Sequence, residues 1–204
     1  MLHYEVIRDD MLDTLRVLQQ QPELSGTRLV GGTALALHFG HRRSVDIDLF
    51  GHWDRGVNLL DVLGRCGRAV VEHLTKNICV FNVNGIKVDL VFYDYAWLAE
   101  PCQIDGLVLA APRDIAPMKL EAITNRGSKK DFIDMAFLLE TYTLQEMMSW
   151  YATKYPQGSE FLVMRSLVYF DDAEDDPMPV MLKPMTWKHV KERILRAVRD
   201  QAAS

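Results

Sequence analysis

The chain has 204 residues, 49% of them hydrophobic, which suffices for one sizeable core or for a compact domain with a helical extension. Its net charge of −5 excludes a protein that attracts nucleic acid over its whole surface, so nucleic-acid binding would need a local basic patch. Three cysteines without metal-ligand spacing, no signal-peptide pattern and no long apolar run together predict a cytoplasmic protein outside the membrane.

The first third of the chain predicts a helix, a strand, a glycine turn and a second helix. Residues 8–20 carry apolar side chains at helical spacing, and residues 28–30 form a short apolar strand. Gly31 and Gly32 then open a helix over 32–39. A glycine turn at a helix start directs free backbone N–H groups outward and suits a phosphate, although a pair of glycines is as often only a tight turn.

The alternating segment 44–50 carries the candidate chemistry. On a strand, Arg42, Ser44, Asp46 and Asp48 would share one face, while Val45, Ile47 and Leu49 would share a buried face. Two adjacent carboxylates repel each other unless a cation lies between them, and Mg²⁺ prefers such oxygen ligands. The alternative is that both aspartates only form the solvent face of an edge strand.

A hairpin follows a predicted helix over 57–66 and a strand over 69–74. Asn84-Gly85 between two alternating runs is the strongest short hairpin signal, and a two-residue turn pairs Val83 with Ile86 and Val80 with Asp89. Asp89 is disfavoured in a strand that otherwise appears central. It is either an exposed residue on a half-solvated sheet or a third carboxylate facing the first two, and we favour the second interpretation because two-metal sites need shared carboxylates.

The second half of the chain predicts helices. After a strand over 107–111, Pro112 begins a helix over 112–124, and the strand periodicity stops. Further helices are predicted over 129–140, 143–153, 159–169 and 186–201, with an acidic, solvated loop over 170–179. Lys154 is taken as a surface lysine.

The motif Gly31-Gly32-Thr33 … Arg42-x-Ser44-x-Asp46-Ile47-Asp48 resembles the signature of the polymerase-β-like nucleotidyltransferase superfamily. In detail it is similar to the AbiEii/AbiGii-type toxin nucleotidyltransferases, and the resemblance spans residues 29–140. These enzymes have a third acid on a later strand, a lysine on the first helix of the helical half and an aspartate on the next helix. The matching positions are Asp89, Lys119 and Asp131; Asp134 competes with Asp131, and Arg43 competes with Arg42.

The resemblance implies an α/β (α+β) fold, with a mixed-sheet nucleotidyltransferase core over 1–111 and a C-terminal helical bundle over 112–204 packed on it. It implies transfer of a nucleoside monophosphate from an NTP to an acceptor hydroxyl. The implied metal ligands are Asp46, Asp48 and Asp89. Lys119 and Asp131 complete the implied catalytic set, and the implied nucleotide-binding residues are Gly31, Gly32, Thr33, Arg42, Ser44 and Lys119.

The implied cofactor is Mg²⁺ or Mn²⁺, and the implied partners are an NTP, an RNA acceptor such as tRNA and a cognate antitoxin. Two basic clusters, Arg126 with Lys129 and Lys130 and His41 with Arg42 and Arg43, would form a basic rim for the RNA if both flank the cleft. The alternative is a solvated loop whose lysines only pair with nearby acids. Two alternatives are a non-catalytic interaction module on a degenerate nucleotidyltransferase fold and a nucleotidyltransferase that modifies a small molecule or a protein. Retention of all three candidate acids argues against a non-catalytic module. A nucleotidyltransferase that modifies a small molecule or a protein would differ from one that modifies RNA only in its acceptor.

Overall fold

The structure, a computed structural model, describes residues 1–203. The chain forms two compact units. The first consists of Met1–Asp94 and Glu100–Ala110 and contains a β-sheet. The second consists of Tyr95–Ala99 and the residues from Ala111 onward, and its regular structure is helical. Within the described residues, no helix has both the length and the apolar character needed to cross a membrane.

The sheet of the first unit has the strand order β3-β4-β5-β2-β1-β7-β6. Its strands are β1 (Thr27–Leu29), β2 (Asp46–Gly51), β3 (Ala69–Leu74), β4 (Ile78–Val83), β5 (Ile86–Phe92), β6 (Cys102–Ile104) and β7 (Leu107–Leu109). The β2–β5 and β1–β7 pairs are parallel, and the other pairs are antiparallel. The sheet is therefore mixed, which confirms the predicted fold class.

The β4–β5 hairpin has the predicted register, with Val83 opposite Ile86 and Val80 opposite Asp89. Asn84 and Gly85 both have positive φ angles, 53° and 86°, which a two-residue hairpin turn of this kind requires. The turn therefore fixes which side of the sheet Asp89 occupies, because a shift by one residue would move every side chain of β5 to the opposite face.

Among the described residues, three α-helices accompany this sheet: α1 (Asp9–Gln19), α2 (Gly31–Phe39) and α3 (Leu59–Gly64). The apolar stripe predicted for α1 is buried, including Met11, Leu15 and Leu18. Helix α2 is buried over most of its length because Ala34, Leu35, Ala36 and Leu37 leave it no polar face. A helix so enclosed can hold its first turn in a fixed position relative to β2.

The second unit contains α4 (Pro112–Asn125), α5 (Lys129–Leu138), α6 (Leu144–Lys154), α7 (Glu160–Ser166), α8 (Asp171–Glu174) and α9 (Trp187–Ala202). Helix α4 packs against α5, α6 and α7. The five predicted helices are present, and Thr143 and Glu146 form a capping box that begins α6. The predicted acidic loop instead contains the short helix α8.

Strand β6 was not predicted. It has three residues, too few to show an alternating pattern, and it pairs with β7 across a turn at Asp105 and Gly106, whose φ angles are 53° and 79°. Only the partner strand identifies such a segment as part of a sheet.

Candidate active site

Asp48 and Asp89 are register partners on the adjacent parallel strands β2 and β5. Register partners point to the same face of a sheet, and Asp46, two residues before Asp48, shares that face. Ile47 and Leu49 are fully buried on the other face. The register thus brings the three sequence-predicted acids onto one patch of one sheet face.

The prediction that Val45 shares the buried face of Ile47 and Leu49 is wrong. Val45 is 65% exposed, because β2 begins at Asp46 and the residues before it do not follow the strand's alternation. Arg42 and Ser44 therefore do not extend the acidic face as strand residues, and their positions depend on the loop that precedes β2.

Gly31 lies directly against Asp48. Its φ angle is +68°, and a Cβ atom at this position would lie 2.4 Å from Asp48 Oδ2. Both the backbone conformation and the close approach require glycine. Gly31 begins α2, whose N-cap residue, Val30, makes no side-chain capping hydrogen bond. The N-cap side chain therefore leaves the first N–H groups of α2 uncapped, and a helix start of this kind is a candidate anion-binding site beside the carboxylate.

Thr33 and Ser44 connect this helix start to the acidic strand. Thr33 Oγ1 lies 2.8 Å from Ser44 Oγ and donates a hydrogen bond to the backbone carbonyl of Asp46. Both side chains are buried. These hydrogen bonds therefore hold α2 against the start of β2. The predicted contact of the two hydroxyls with a triphosphate stays a prediction.

Lys87 also belongs to this patch, although it was not among the predicted site residues. Its Nζ donates to Asp89 Oδ2 at 2.7 Å, and Asp46 is its register partner on β2. Burial alone would lower the pKa of Lys87, but the hydrogen bond and charge of Asp89, together with the charges of Asp46 and Asp48, raise it. The available signal was the Lys-x-Asp spacing, which places both side chains on one face of β5.

The two carboxylate oxygens of Asp89 differ, because only Oδ2 accepts the hydrogen bond from Lys87. Asp89 Oδ1 is buried and has no hydrogen-bond partner among the described residues. A buried carboxylate oxygen without a partner is costly, so such an atom is a candidate metal ligand. Oxygen donors from aspartates also suit a hard divalent cation. By donor chemistry, the residues therefore fit a hard divalent cation.

The described residues do not form a closed metal cage. Among residues 1–203, no group of three or more His, Cys, Asp or Glu side chains is arranged to hold a metal ion. The acids share one sheet face but do not converge on one point, and Asp89 is engaged by an ammonium group.

The two arginines before β2 differ in exposure. Arg42 is buried and its Nη1 donates to the backbone carbonyl of Arg43 at 3.0 Å, whereas the side chain of Arg43 is exposed. Of the two alternatives left open by the sequence, Arg43 is therefore the one whose side chain faces solvent.

In the second unit, Lys119 is held by two buried aspartates. Its Nζ lies 2.9 Å from Asp131 Oδ1 and 2.7 Å from Asp134 Oδ2, and only 5% of its side chain is exposed. Both competing aspartates therefore contact the lysine. Lys119 joins α4 to α5 as part of a buried ion cluster.

Asp131 has further partners. Arg126 contacts it through Nε at 2.8 Å, and Ser128 Oγ donates to it at 2.6 Å. Burial would raise the pKa of Asp131, but the charges of Lys119 and Arg126 and the hydrogen bonds from Arg126 and Ser128 hold it well below its usual range. Asp131 is therefore an ionised structural anchor for Lys119 at neutral pH.

Two lysines differ from the sequence-based expectation. Lys129, predicted to belong to a basic RNA-binding rim, is 6% exposed, and its ammonium donates to the backbone carbonyls of Glu174 and Asp176. Lys154, taken as a surface lysine, is buried and paired with Asp114 at 2.8 Å. Lysines on amphipathic helices bury when internal acceptors compensate their charge, which a sequence pattern does not reveal.

Comparison with known proteins identifies the family. Residues 13–203 match the family model described as the AbiEii nucleotidyl transferase toxin of type IV toxin–antitoxin systems. The chain belongs to the AbiEii nucleotidyltransferase toxin family. It is therefore a nucleotidyltransferase, as predicted, and its family implies a nucleotide substrate and a cognate antitoxin.

This AbiEii nucleotidyltransferase has relatives of similar length. It is 33% identical over 179 residues to the uncharacterised protein aq_aa25 of Aquifex aeolicus, covering 84% of this chain and 86% of that protein. Its fold is similar to that of MenT4, a nucleotidyltransferase toxin of Mycobacterium tuberculosis H37Rv, with a TM-score of 0.58, 16% identity and coverage of 94% and 82%. JHP933 of Helicobacter pylori is similar with a TM-score of 0.56, 16% identity and coverage of 93% and 88%.

Proposed function

We propose that this AbiEii-family nucleotidyltransferase transfers a nucleoside monophosphate from an NTP to a hydroxyl group of an RNA, with tRNA as the first candidate, and acts as the toxin of a toxin–antitoxin pair. The observation that carries the proposal is the pairing of Asp48 with Asp89 on adjacent parallel strands, with the backbone of Gly31 against Asp48. This places candidate metal ligands beside a candidate phosphate-binding helix start.

In this proposal Asp46, Asp48 and Asp89 hold Mg²⁺ or Mn²⁺. When bound, the metal would neutralise phosphate charge and lower the pKa of the acceptor hydroxyl. The protein's own part is to keep three carboxylates on one sheet face and to supply Asp89 as a ligand or as the base for that hydroxyl. The support is the buried, unpartnered Asp89 Oδ1.

The phosphate groups would lie at the start of α2. The backbone N–H groups of Gly31 and Gly32 would donate to the triphosphate, since α2 has no side-chain cap. Thr33 and Ser44 hold this turn against β2, and Arg43, the exposed arginine, offers a positive charge from solvent. Positioning and charge stabilisation supply the catalysis.

Lys119 keeps the role that the family resemblance implies, which is to offset the charge of the triphosphate. Its support is an ammonium group that Asp131 and Asp134 hold in one place. Because both carboxylates already neutralise the lysine, nucleotide contact would require one of them to release it. This requirement makes the assignment of Lys119 separately testable.

The acceptor is identified by incubating the protein with each of the four α-³²P-labelled NTPs, Mg²⁺ or Mn²⁺, and total cellular RNA. Parallel reactions contain cellular protein or a small-molecule extract in place of RNA. We expect label in RNA of tRNA size, dependent on metal and abolished by Asp48→Asn. Label only in protein or in a small molecule would overturn the RNA acceptor, and no label in any reaction would overturn the proposed activity.

Salt dependence distinguishes an Arg43 that contacts the RNA backbone from one that contacts only the triphosphate, because only the former changes the salt dependence of RNA binding. Losing one phosphate contact to single-stranded RNA should reduce the slope of log affinity against log salt by about 0.7. We expect Arg43→Ala to weaken RNA labelling and flatten this dependence, while the exposed control Arg68→Ala leaves both unchanged.

The antitoxin is tested by co-expression in bacterial cells. We expect growth arrest when this protein is expressed alone, and we expect the product of the gene beside it to relieve that arrest.

A further inference from the structure

Lys87 places a positive charge at the proposed metal site. Its ammonium lies 2.7 Å from Asp89 Oδ2, and its register partner across the parallel β2–β5 pair is Asp46. Asp48, the register partner of Asp89, completes the group on the same face. One ammonium group therefore faces three carboxylates, here called the acid group (Asp46, Asp48 and Asp89).

We propose that Lys87 is the resident counterion of the acid group, which it neutralises before metal and nucleotide bind and from which a divalent ion displaces it. The inference rests on the proposed function, because it requires the metal to bind at these acids. It assigns Lys87 the task of keeping the affinity for free metal low, so that metal enters efficiently only with the negatively charged nucleotide.

The geometry allows this exchange. The Lys87 side chain is 45% exposed and contacts only one oxygen of Asp89, whose Oδ1 stays without a hydrogen bond. A cavity of about 170 Å³ lies beside it, lined in part by Ser44, Asp46 and Asn82. The flexible lysine side chain therefore has room to leave the carboxylate without movement of β5.

The charge of Lys87 determines whether its removal strengthens or weakens metal binding. A partner that only orients a metal-binding carboxylate strengthens metal binding, and its loss typically weakens affinity 10–100-fold. Lys87 differs from such a partner because its charge also repels the metal. A single charge about 5 Å from a divalent ion is worth more than about tenfold in affinity at the dielectric constant of water and far more at the lower values near a protein surface. Repulsion therefore dominates, and removal of the charge should tighten metal binding.

The same charge should stabilise the metal-free protein. Three carboxylates on neighbouring strand positions repel one another, and the ammonium offsets that repulsion. Without Lys87, the metal-free protein should unfold at a lower temperature, and a divalent ion should reverse the loss. A lysine that only packs against the strand would not produce this dependence on metal.

The experiment compares the full-length wild type with Lys87→Met, Lys87→Arg and the exposed control Lys76→Met. Binding of Mn²⁺ alone, without nucleotide, is titrated by the electron paramagnetic resonance signal of the free ion. Thermal unfolding is followed in EDTA and in Mn²⁺. We expect Lys87→Met to bind Mn²⁺ at least about tenfold more tightly, to melt lower in EDTA and to recover in Mn²⁺. Lys87→Arg and Lys76→Met should behave as the wild type.

Equal or weaker Mn²⁺ binding by Lys87→Met would overturn the proposal, as would absence of Mn²⁺ binding in both proteins or an unchanged melting temperature in EDTA. Nucleotide transfer by the wild type is assayed separately. If the wild type labels no acceptor while Lys87→Met binds Mn²⁺ more tightly, the proposed function fails and the counterion role of Lys87 stands. If transfer occurs but the Mn²⁺ affinities are equal, only the counterion role fails.

Discussion

Asp48 and Asp89 lie side by side because β2 and β5 run parallel and in register, although another strand pair and a helix separate them along the chain. A substitution of either aspartate should therefore alter the same site. The helix start at Gly31 lies against the same carboxylate, so the backbone of α2 belongs to this relationship.

Asp48→Asn should abolish nucleotide transfer while leaving the protein folded. The amide keeps the shape of the side chain but removes the charge that a divalent ion requires. Transfer of labelled NMP and the circular dichroism spectrum measure the two effects. Asp13→Asn, at a carboxylate with 76% exposure on α1, is the matched control and should retain full activity. A fully active Asp48→Asn enzyme would exclude β2 as the catalytic strand.

Gly31→Ala should inactivate the enzyme and reduce the free energy of unfolding by about 1–2 kcal/mol from backbone strain alone. The φ angle of +68° disfavours alanine, and the new Cβ would lie 2.4 Å from Asp48 Oδ2 unless that carboxylate moves. Denaturant unfolding and labelled-NTP transfer measure the outcome. Gly64→Ala is the control, since a Cβ there meets nothing within 4 Å. Equal activity of the two variants would contradict the close approach.

Lys119→Met should reduce the free energy of unfolding by about 3–5 kcal/mol, because it leaves Asp131 and Asp134 buried without this shared cation. Lys188→Met, at an 81% exposed lysine 3.8 Å from Glu192, should cost less than about 1 kcal/mol. Denaturant unfolding measures the free energy of unfolding of both variants. Similar stability of the two would contradict a buried ion cluster.

Loss of the Lys119 ion pairs can abolish activity through unfolding alone. A variant that loses activity through unfolding says nothing about nucleotide contact, so transfer rates must be measured where the variant remains folded. Lys154→Ala is unsuitable as a surface control, because Lys154 is buried against Asp114. Lys188 takes its place.

The ion cluster also predicts a dependence of stability on pH. The folded-state pKa of Asp131 lies below its ordinary value of 3.8, so its contribution to stability is fully present above that value. The contribution is lost as pH falls from there through the folded-state pKa. We expect the free energy of unfolding to fall over this acidic range in the wild type and to fall less steeply in Asp131→Asn. Parallel curves for the two proteins would contradict the lowered pKa.

Local signals were sufficient for most of the regular structure. The turn formed by Asn84 and Gly85 set the register of β4 and β5, because a two-residue loop leaves the strands only one pairing. Helices α4 and α5 followed from their apolar periodicity. Strand β6 and helix α8 were missed, since segments of three and four residues are too short to carry a period.

The sequence by itself determined the fold class, the family and the identity of the candidate acids, because alternation, turn residues and a motif of glycines and aspartates are local properties of the chain. Only the tertiary structure decided which side chains meet. Asp89 joined Asp48 through strand register, Lys87 became the register partner of Asp46 on the neighbouring strand, and Lys129 and Lys154 became buried by pairing with distant acceptors. Such contacts depend on long-range packing and on the compensation of buried charge, and neither is encoded in residue spacing.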